Sequence, residues 1–200
     1  MGALVRSGQI LCIVGARPNF MKIAPIMRAF AQSDSALSAR LLHTGQHYDA
    51  AMKHAFFDQL HIPEPDVDLE VGSGTHAQQT ADIMKRFEPV LDEVPPLAVL
   101  VVGDVNSTIA CALVAVKKNI PVIHVEAGLR SGDRTMPEEI NRILTDQLSD
   151  LLFITEASAL ANLTREGIAA DKVHFVGNVM IDTLRYNLND AVPSRSVLAK

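Results

Sequence analysis

Short apolar runs alternate with longer amphipathic stretches along this chain. The runs have strand length, and several are apolar without alternation, which is typical of parallel strands covered on both faces. The predicted strands are Ile10–Val14, Ala39–His43, Leu97–Val102, Val122–Val125, Leu151–Thr155 and Val173–Val176. The predicted helices are Phe20–Gln32, Asp49–Leu60, Ala77–Glu93, Ser107–Lys118, Glu138–Ser149 and Ser158–Glu166, with a last helix from about Val179. This alternation predicts an α/β fold with a doubly wound, Rossmann-like parallel sheet.

Two segments show neither the apolar pattern of a helix nor that of a strand, and they are predicted to be irregular. Ile62–Thr75 contains two prolines and Gly72-Ser73-Gly74 and is expected to be a surface loop, and Gly128–Pro137 follows a predicted strand. The predicted helix Glu138–Ser149 has a clear apolar stripe opposite a polar face. The stripe consists of Ile140, Ile143, Leu144 and Leu148, and the residues expected to face away are Glu139, Arg142 and Asp146.

Composition narrows the class of protein. The net charge of -5 over 200 residues gives no general affinity for nucleic acid, which binds basic surfaces. No apolar run approaches the roughly 18 residues that cross a bilayer, and no signal-peptide pattern opens the chain, so we expect no membrane association and a cytoplasmic location. Cys12 and Cys111 lie in apolar stretches and are expected to be buried, reduced thiols rather than a disulfide.

Polar residues follow most of the predicted strands. Gly15-Ala16-Arg17-Pro18-Asn19 follows the first strand, with Lys22 one turn into the next helix, and Gly103-Asp104 follows the run Leu97–Val102. Glu126 directly follows Val125. Because the carboxyl ends of parallel strands meet at one edge of the sheet, these residues predict a ligand site there.

The loop after the first strand has features of a phosphate-binding loop. Gly15 permits a tight turn, a helix N-terminus offers free N–H groups, and Arg17 adds a fork of donors. It matches neither common phosphate-binding fingerprint, and a helix entry with a surface arginine explains it equally well.

Three carboxylates near this edge have both a structural and a catalytic interpretation. Asp104 precedes a helix and is suited to cap it. Glu126 ends a buried strand, where partial desolvation suits acid–base chemistry; an ion pair with Arg130 or Arg142 is the alternative. Glu138 begins a helix, where the dipole favours an acid and Arg142 lies four residues on. The convergence of all three at one edge favours catalysis.

The histidines predict no metal site. No two have the spacing of metal ligands, and we expect no metal and no cofactor. His124 lies inside a predicted strand and is expected to be a hydrogen-bonded core residue, whereas His47 follows the second strand at the same edge.

The loops, read in order, resemble the non-hydrolysing UDP-N-acetylglucosamine 2-epimerase family. The matching segments are GARPNFMKIAPI (Gly15–Ile26), TGQHYD (Thr44–Asp49), VVGDVNSTIACALVA (Val101–Ala115), HVEAGLRSGDRTMPEEINR (His124–Arg142) and VGNVMIDTL (Val176–Leu184). Members of that family have two Rossmann-like domains that face each other in the GT-B arrangement. The resemblance implies that residues 10–178 are the N-terminal domain, after an extension at 1–9. Residues 179–200 then begin an interdomain helix, and the second domain is absent.

The resemblance also implies an activity. Family members interconvert UDP-N-acetylglucosamine and UDP-N-acetylmannosamine by eliminating UDP to 2-acetamidoglucal and adding it back. By motif position, Asp104, Glu126 and Glu138 are the implied catalytic acids. Arg17 and Lys22 are implied near the phosphates, and Arg142 among the groups that bind substrate. A homodimer is also implied.

Other positions in the motifs bear on regulation and on the identity of the sugar. Gln46 and His47 match positions that bind a second, regulatory UDP-N-acetylglucosamine in some members. Val105 replaces a threonine that is common in the family, and the TGQHYD motif also occurs in relatives that act on other UDP-sugars, including diacetamido uronic acids. Four alternatives therefore remain: an epimerase for a modified UDP-sugar, a hydrolysing 2-epimerase, a GT-B glycosyltransferase and a non-catalytic sugar-nucleotide-binding domain.

Overall fold

The computed structural model describes residues 8–46 and 56–188 of the chain. Within these ranges, seven parallel strands form one sheet in the order β3-β2-β1-β4-β5-β6-β7. The strands are β1 (Gln9–Val14), β2 (Ser38–His43), β3 (Val67–Asp68), β4 (Ala98–Val102), β5 (Val122–Ala127), β6 (Leu151–Ile154) and β7 (Val173–Phe175). The predicted doubly wound parallel sheet is confirmed.

Helices connect most of these strands. They are α1 (Arg17–Gln32), α2 (His76–Glu93), α3 (Asn106–Lys117), α4 (Pro137–Leu148), α5 (Ala157–Arg165) and α6 (Val179–Tyr186), with a short 3₁₀ helix at Ala170–Lys172. Residues 56–60 are also helical, and the rest of the predicted helix Asp49–Leu60 lies outside the described residues. None of the described helices combines the length and hydropathy that a membrane-spanning segment requires.

Alternate side chains of the central strands enter two cores on opposite faces of the sheet, as a period of two demands. Leu11 and Ile13 of β1 pack in the core beneath α2 and α3, whereas Cys12 and Val14 pack in the core beneath α1. Cys111 lies in the first of these cores. The two cysteines are free and buried, as predicted, and burial raises the pKa of Cys12 to about 12.

The strand order reverses between β1 and β4, which are neighbours in the sheet although β2 and β3 intervene along the chain. Ligands of open α/β sheets bind outside the carboxyl ends of the strands at such a reversal. The loops that leave β1 and β4 at this point begin with Gly15 and Gly103. We call this side of the sheet the carboxyl edge.

The segment Ile62–Thr75, which we predicted to be a loop throughout, contributes a strand. Val67 and Asp68 form β3 and pair with the end of β2. The backbone N–H of Leu69 continues this pairing by donating to the carbonyl of His43 at 2.8 Å. The strand is two residues long, so its own sequence contains no usable alternation; pairing with β2 defines it.

The polarity predicted for α4 is wrong. Leu144 of the predicted apolar stripe is 48% exposed, whereas Glu139 and Asp146, predicted to face away, are buried. Burial of these carboxylates is possible because each has a charged partner nearby, Arg142 for Glu139 and Arg130 for Asp146.

Candidate active site at the carboxyl edge

An ion pair between Lys22 and Glu126 joins α1 to the end of β5. Lys22 is buried, and the Glu126 side chain keeps 22% of its surface exposed. A Cβ added to Gly103 would lie 2.8 Å from Lys22 Nζ and 3.9 Å from Glu126 Oε2, so the pair sits directly beside the turn after β4. Glu126 lies at this edge, as the sequence indicated, and the alternative of an ion pair with Arg130 or Arg142 does not form, since the partner is Lys22.

The backbone at Glu126 is unusual. Its φ is +73°, in the left-handed region that glutamate rarely adopts, and the pairing of β5 with β6 shifts register between Val125 and Ala127. A bulge of this kind redirects a side chain out of the strand alternation. It accounts for a carboxylate that leaves the end of a buried strand and reaches Lys22.

Arg142 of α4 connects two carboxylates. Its Nη2 lies 2.5 Å from Asp104 Oδ2, and its Nη1 donates to Glu139 Oε2 at 2.9 Å. The side chain of Asn141 donates to the carbonyl of Asp104 at 2.9 Å. Asp104 therefore does not cap α3; the N-cap is Val105, which makes no side-chain cap bond.

Glu139 holds the irregular segment Gly128–Pro137 in place. Its two carboxylate oxygens accept from the backbone N–H groups of Ser131 and Gly132, each at 3.0 Å. Burial opposes ionisation, but these two N–H groups and Arg142 outweigh it, so the pKa of Glu139 is lowered. The ionised carboxylate of Glu139 thus anchors the segment Gly128–Pro137 to Arg142 and, through it, to the carboxyl edge.

Glu138 lies at the start of α4 and is half-buried. Among the described residues it has no hydrogen-bond or ion-pair partner, and the predicted pairing with Arg142 four residues on does not form, because Arg142 bonds to Glu139 and Asp104 instead. Glu138 and Arg142 nevertheless share one face of α4, since residues four apart are neighbours on a helix surface. An unpaired carboxylate is therefore placed on the face from which Arg142 reaches Asp104.

The loop after β1 is more closed than predicted. The side chain of Asn19 accepts from the N–H groups of Gly15 and Ala16 at 3.2 and 3.1 Å, so these donors are not free for a phosphate. Arg17 is exposed, and its guanidinium carbon lies 4.5 Å from the centre of the Phe56 ring. Arg17 is thus available to a ligand at the first turn of α1.

Gln46 lies at the same edge after β2. Its side-chain oxygen accepts from the Ser107 hydroxyl at 2.7 Å, and its carbonyl accepts from Gln79 Nε2 at 3.3 Å. Ser107 also bonds to Thr44 at 2.7 Å, directly over Gly15. His47, predicted beside Gln46, lies outside the described residues.

A buried charge network lies beneath Asp104. His124 is fully buried, as predicted for a core histidine, with Nδ1 2.7 Å from Asp146 Oδ1 and Nε2 2.8 Å from the carbonyl of Gly103. Arg130 bonds to Asp146 at 2.7 Å and forks onto Glu166 at 2.8 and 2.5 Å. Arg130 therefore bonds to Asp146 and Glu166 and does not pair with Glu126.

The arrangement suits acid–base chemistry beside groups that stabilise negative charge. Two half-exposed carboxylates, Asp104 and Glu126, each lie against a cation at the ends of adjacent strands, and carboxylates so placed can accept or return a proton. The cations can stabilise negative charge that develops on a leaving group. Within residues 8–46 and 56–188, no group of three His, Cys, Asp or Glu side chains could hold a metal ion.

Comparison with known proteins identifies the family. Residues 30–200 match the family model described as UDP-N-acetylglucosamine 2-epimerase. The chain belongs to this family. It is 49% identical over 176 residues to a UDP-N-acetylglucosamine 2-epimerase homolog of Methanococcus maripaludis. Over 177 residues it is also 49% identical to a UDP-2,3-diacetamido-2,3-dideoxy-D-glucuronate 2-epimerase of Pseudomonas aeruginosa.

A solved structure of the family shares the fold. The UDP-GlcNAc 2-epimerase of Methanocaldococcus jannaschii, in complex with UDP-GlcNAc and UDP, superposes with a TM-score of 0.88 at 45% identity. The match covers 91% of this chain and 50% of that one. The two curated relatives are covered to 48% and 50% of their lengths, so this epimerase-family chain spans about half the length of the relatives it matches.

Sequence reasoning missed two residues that shape the site. Glu139 was assigned to the solvent face of its helix, although its spacing of three residues from Arg142 was a signal for an ion pair. Asp146 had no such local signal, because its partners His124 and Arg130 come from β5 and the segment that follows it.

Proposed function

We propose that this chain is the N-terminal half of an enzyme that interconverts UDP-N-acetylglucosamine and UDP-N-acetylmannosamine. One observation carries the proposal. In a chain of the 2-epimerase family, two carboxylates at the carboxyl edge are each paired with a cation, Asp104 with Arg142 and Glu126 with Lys22. A reaction that moves a proton while an anionic group departs needs both kinds of group at one place.

The proposed reaction has two balanced halves. A carboxylate takes the C2 proton, the C–H electron pair forms the C1=C2 double bond of 2-acetamidoglucal, and the C1–O pair leaves with UDP. UDP then adds back to C1 while an acid returns a proton to the opposite face of C2. Asp104, Glu126 and Glu138 are the proposed acids and bases.

The cations have separate proposed roles. Exposed Arg17 and buried Lys22 lie on the first turns of α1, where they can stabilise the charge of departing UDP. Arg142 is proposed to bind substrate as well as to hold Asp104. The substrate's phosphates would compete with Glu126 for Lys22, which would free that carboxylate for proton transfer.

A domain organisation is part of the proposal. Residues 10–178 are the proposed Rossmann-like domain of a GT-B pair, after an extension at 1–9, and residues 179–200 begin the link to a second domain. Helix α6 packs on α1 through a 2.6 Å hydrogen bond from Thr183 to the Met21 carbonyl and leaves Ile181 and Leu184 exposed. We also propose a cytoplasmic homodimer, for which exposed Leu144 offers apolar surface.

Gln46 and His47 are proposed to contribute to a second, regulatory UDP-sugar site. The support is the position of Gln46, whose side chain bonds to Ser107 at the N-terminus of α3. A ligand that draws Gln46 away from Ser107 would loosen the loop beside Gly15. A Gln46→Ala variant of the two-domain protein is expected to respond less to added UDP-N-acetylglucosamine in its rate.

The decisive experiment is proton NMR in D₂O with UDP-N-acetylglucosamine. The chain is joined to the second half of the Methanocaldococcus jannaschii relative, which gives a two-domain protein. We expect deuterium at C2 and the appearance of UDP-N-acetylmannosamine. Asp104→Asn, Glu126→Gln and Glu138→Gln are each expected to slow exchange by on the order of 100-fold or more. Glu93→Gln, at an exposed site on α2, is the matched control.

The similarity to one relative supports a second candidate substrate. The relative that acts on a diacetamido glucuronate is as similar to this chain as the Methanococcus maripaludis homolog. If the folded two-domain protein exchanges C2 only in UDP-2,3-diacetamido-2,3-dideoxy-glucuronate, that substrate replaces N-acetylglucosamine in the proposal. Release of free N-acetylmannosamine would indicate the hydrolysing type. Binding without exchange in any of them would indicate a non-catalytic sugar-nucleotide domain.

A further inference from the structure

His124 has no role in the reaction proposed above, yet it is fully buried beside the carboxyl edge and both of its ring nitrogens have a hydrogen-bond partner. It lies in β5 with both ring nitrogens within 2.8 Å of an oxygen, one from Asp146 and one from the carbonyl of Gly103. A ring turned over would place carbon atoms against both oxygens. Its orientation is therefore determined by these two partners.

The partners also determine which ring atoms act as donors. The carbonyl of Gly103 can only accept, so Nε2 of His124 carries a proton. Asp146 accepts from Arg130 at 2.7 Å and from the backbone N–H of Gly128 at 3.1 Å, and its other oxygen faces Nδ1 of His124. Both ring nitrogens are thus placed to donate, Nε2 to Gly103 and Nδ1 to Asp146.

The network around Asp146 keeps its carboxylate ionised, so that it accepts hydrogen bonds. Burial by itself would raise the pKa of Asp146, but His124 and then Arg130 outweigh it and lower the pKa. Arg130 is in turn neutralised by Glu166. Positive and negative groups alternate through the network, which is the condition under which buried charges are tolerated.

The bond from His124 acts on Asp104 through the backbone. Gly103 has φ of +68°, so the chain turns sharply here, and its carbonyl points inward at Nε2. The peptide group that joins Gly103 to Asp104 is planar, so a fixed Gly103 carbonyl also fixes the positions of the nitrogen and Cα of Asp104. The carboxylate that follows this peptide, Asp104, bonds to Arg142.

We propose that His124 is a positioning residue for the proposed epimerisation: its Nε2–H group holds the Gly103 carbonyl and so orients the Asp104 carboxylate towards the sugar. The inference rests on the proposed function, because orientation of Asp104 matters only if Asp104 takes part in the reaction. His124 does not touch the substrate; it acts through the Gly103–Asp104 peptide.

Two variants of similar size separate this role from a general packing role. In His124→Gln the amide nitrogen reaches the place of Nε2 and can still donate to Gly103. In His124→Asn it reaches only the place of Nδ1, so it can bond to Asp146 but not to Gly103. Thr145→Val is the control, since Thr145 is buried on α4 next to Asp146 and its hydroxyl has no hydrogen-bond partner among the described residues.

The kinetic test uses the two-domain protein with UDP-N-acetylglucosamine. For His124→Asn we expect kcat to fall by on the order of 10- to 100-fold at nearly unchanged KM, the size of effect that follows misplacement of a reacting group. His124→Gln should recover most of the wild-type kcat, and Thr145→Val all of it. Equal losses in the Asn and Gln variants, in step with their melting temperatures, would overturn the proposal.

An NMR test on the 200-residue chain is independent of activity. With ¹⁵N-labelled histidine at neutral pH, both ring nitrogens of His124 should show a directly bonded proton. The amide resonance of Asp104 should move in His124→Asn and stay in place in Thr145→Val. A ring with one proton, or an Asp104 amide unaffected by His124→Asn, would overturn the positioning role. If the two-domain protein shows no C2 exchange but the NMR results hold, the proposed function fails while the geometric inference stands.

Discussion

Lys22 and Glu126 form an ion pair that ties the first helix to the end of the fifth strand, with 8% and 22% of their side-chain surfaces exposed. Removing either partner alone leaves a charge with little access to water, which costs more than the pair contributes in net stability. The pair is therefore a structural link as well as a proposed part of the reaction.

A double-mutant cycle should reveal this coupling. We expect Glu126→Gln and Lys22→Met each to lower the free energy of unfolding, with the double variant costing about 1–3 kcal/mol less than the sum. Urea denaturation provides the measurement. The surface pair Lys85 and Asp82, 3.8 Å apart and largely exposed, should couple by less than about 0.5 kcal/mol. Additive effects for Lys22 and Glu126 would contradict the buried pairing.

The buried carboxylates of α4 should make stability depend on acid pH. The pKa values of Asp146 and Glu139 are lowered from ordinary values of 3.8 and 4.5, so folding favours their ionised forms. Their contribution is complete above the ordinary values and is lost as the pH falls through the lowered ones. We expect the free energy of unfolding to be constant from this source at neutral pH and to decrease as the pH falls below about 5.

Glu139→Gln tests the source of this dependence. The variant should be less stable at neutral pH, because the amide cannot accept from Ser131, Gly132 and Arg142 as a carboxylate does, and its stability should vary less with acid pH. Asp34→Asn, at an exposed site, should keep the wild-type slope. An unchanged slope in Glu139→Gln would mean that other groups carry the acid dependence.

Gly15 is required by close packing. An added Cβ would lie 2.1 Å from Ser107 Oγ and 2.6 Å from Thr44 Oγ1, so the hydrogen-bonded pair over the loop must separate. We expect Gly15→Ala to cost about 1–3 kcal/mol, the usual range for overpacking. Gly8→Ala, with nothing within 4 Å of its Cβ, should be neutral. Thermal unfolding of the two variants makes the comparison, and equal melting temperatures would refute the packing argument.

The two thiols should be inert in the folded chain. Burial raises the pKa of Cys12 to about 12 and raises that of Cys111 as well, so neither forms a thiolate at neutral pH. A disulfide reagent such as dithionitrobenzoate should react with neither until urea unfolds the protein, and then with both. Ser35→Cys, at an exposed site, should react at once. Rapid reaction of the wild type would show that a core opens readily.

Much of the fold was predictable from local pattern. The runs around Cys12 and Leu100 are apolar on both faces because helices cover both sides of a parallel sheet, and this composition is visible in the sequence. The placement of Asp104, Glu126 and Lys22 at one edge was predictable for a related reason, since parallel strands end on the same side. The two-residue strand β3 was not, because pairing with β2 alone defines it.

By itself, the sequence determined the order of the strands and helices apart from β3, the edge at which polar residues gather and, through its motifs, the family. Tertiary structure decided which charges meet. Arg142 bonds to Asp104 and Glu139 rather than Glu138, and Lys22 rather than Arg130 meets Glu126. The apolar periodicity of a helix depends only on residues of that helix. A buried carboxylate such as Asp146 is stabilised by partners from other parts of the chain. Folding alone brings those partners within hydrogen-bond reach.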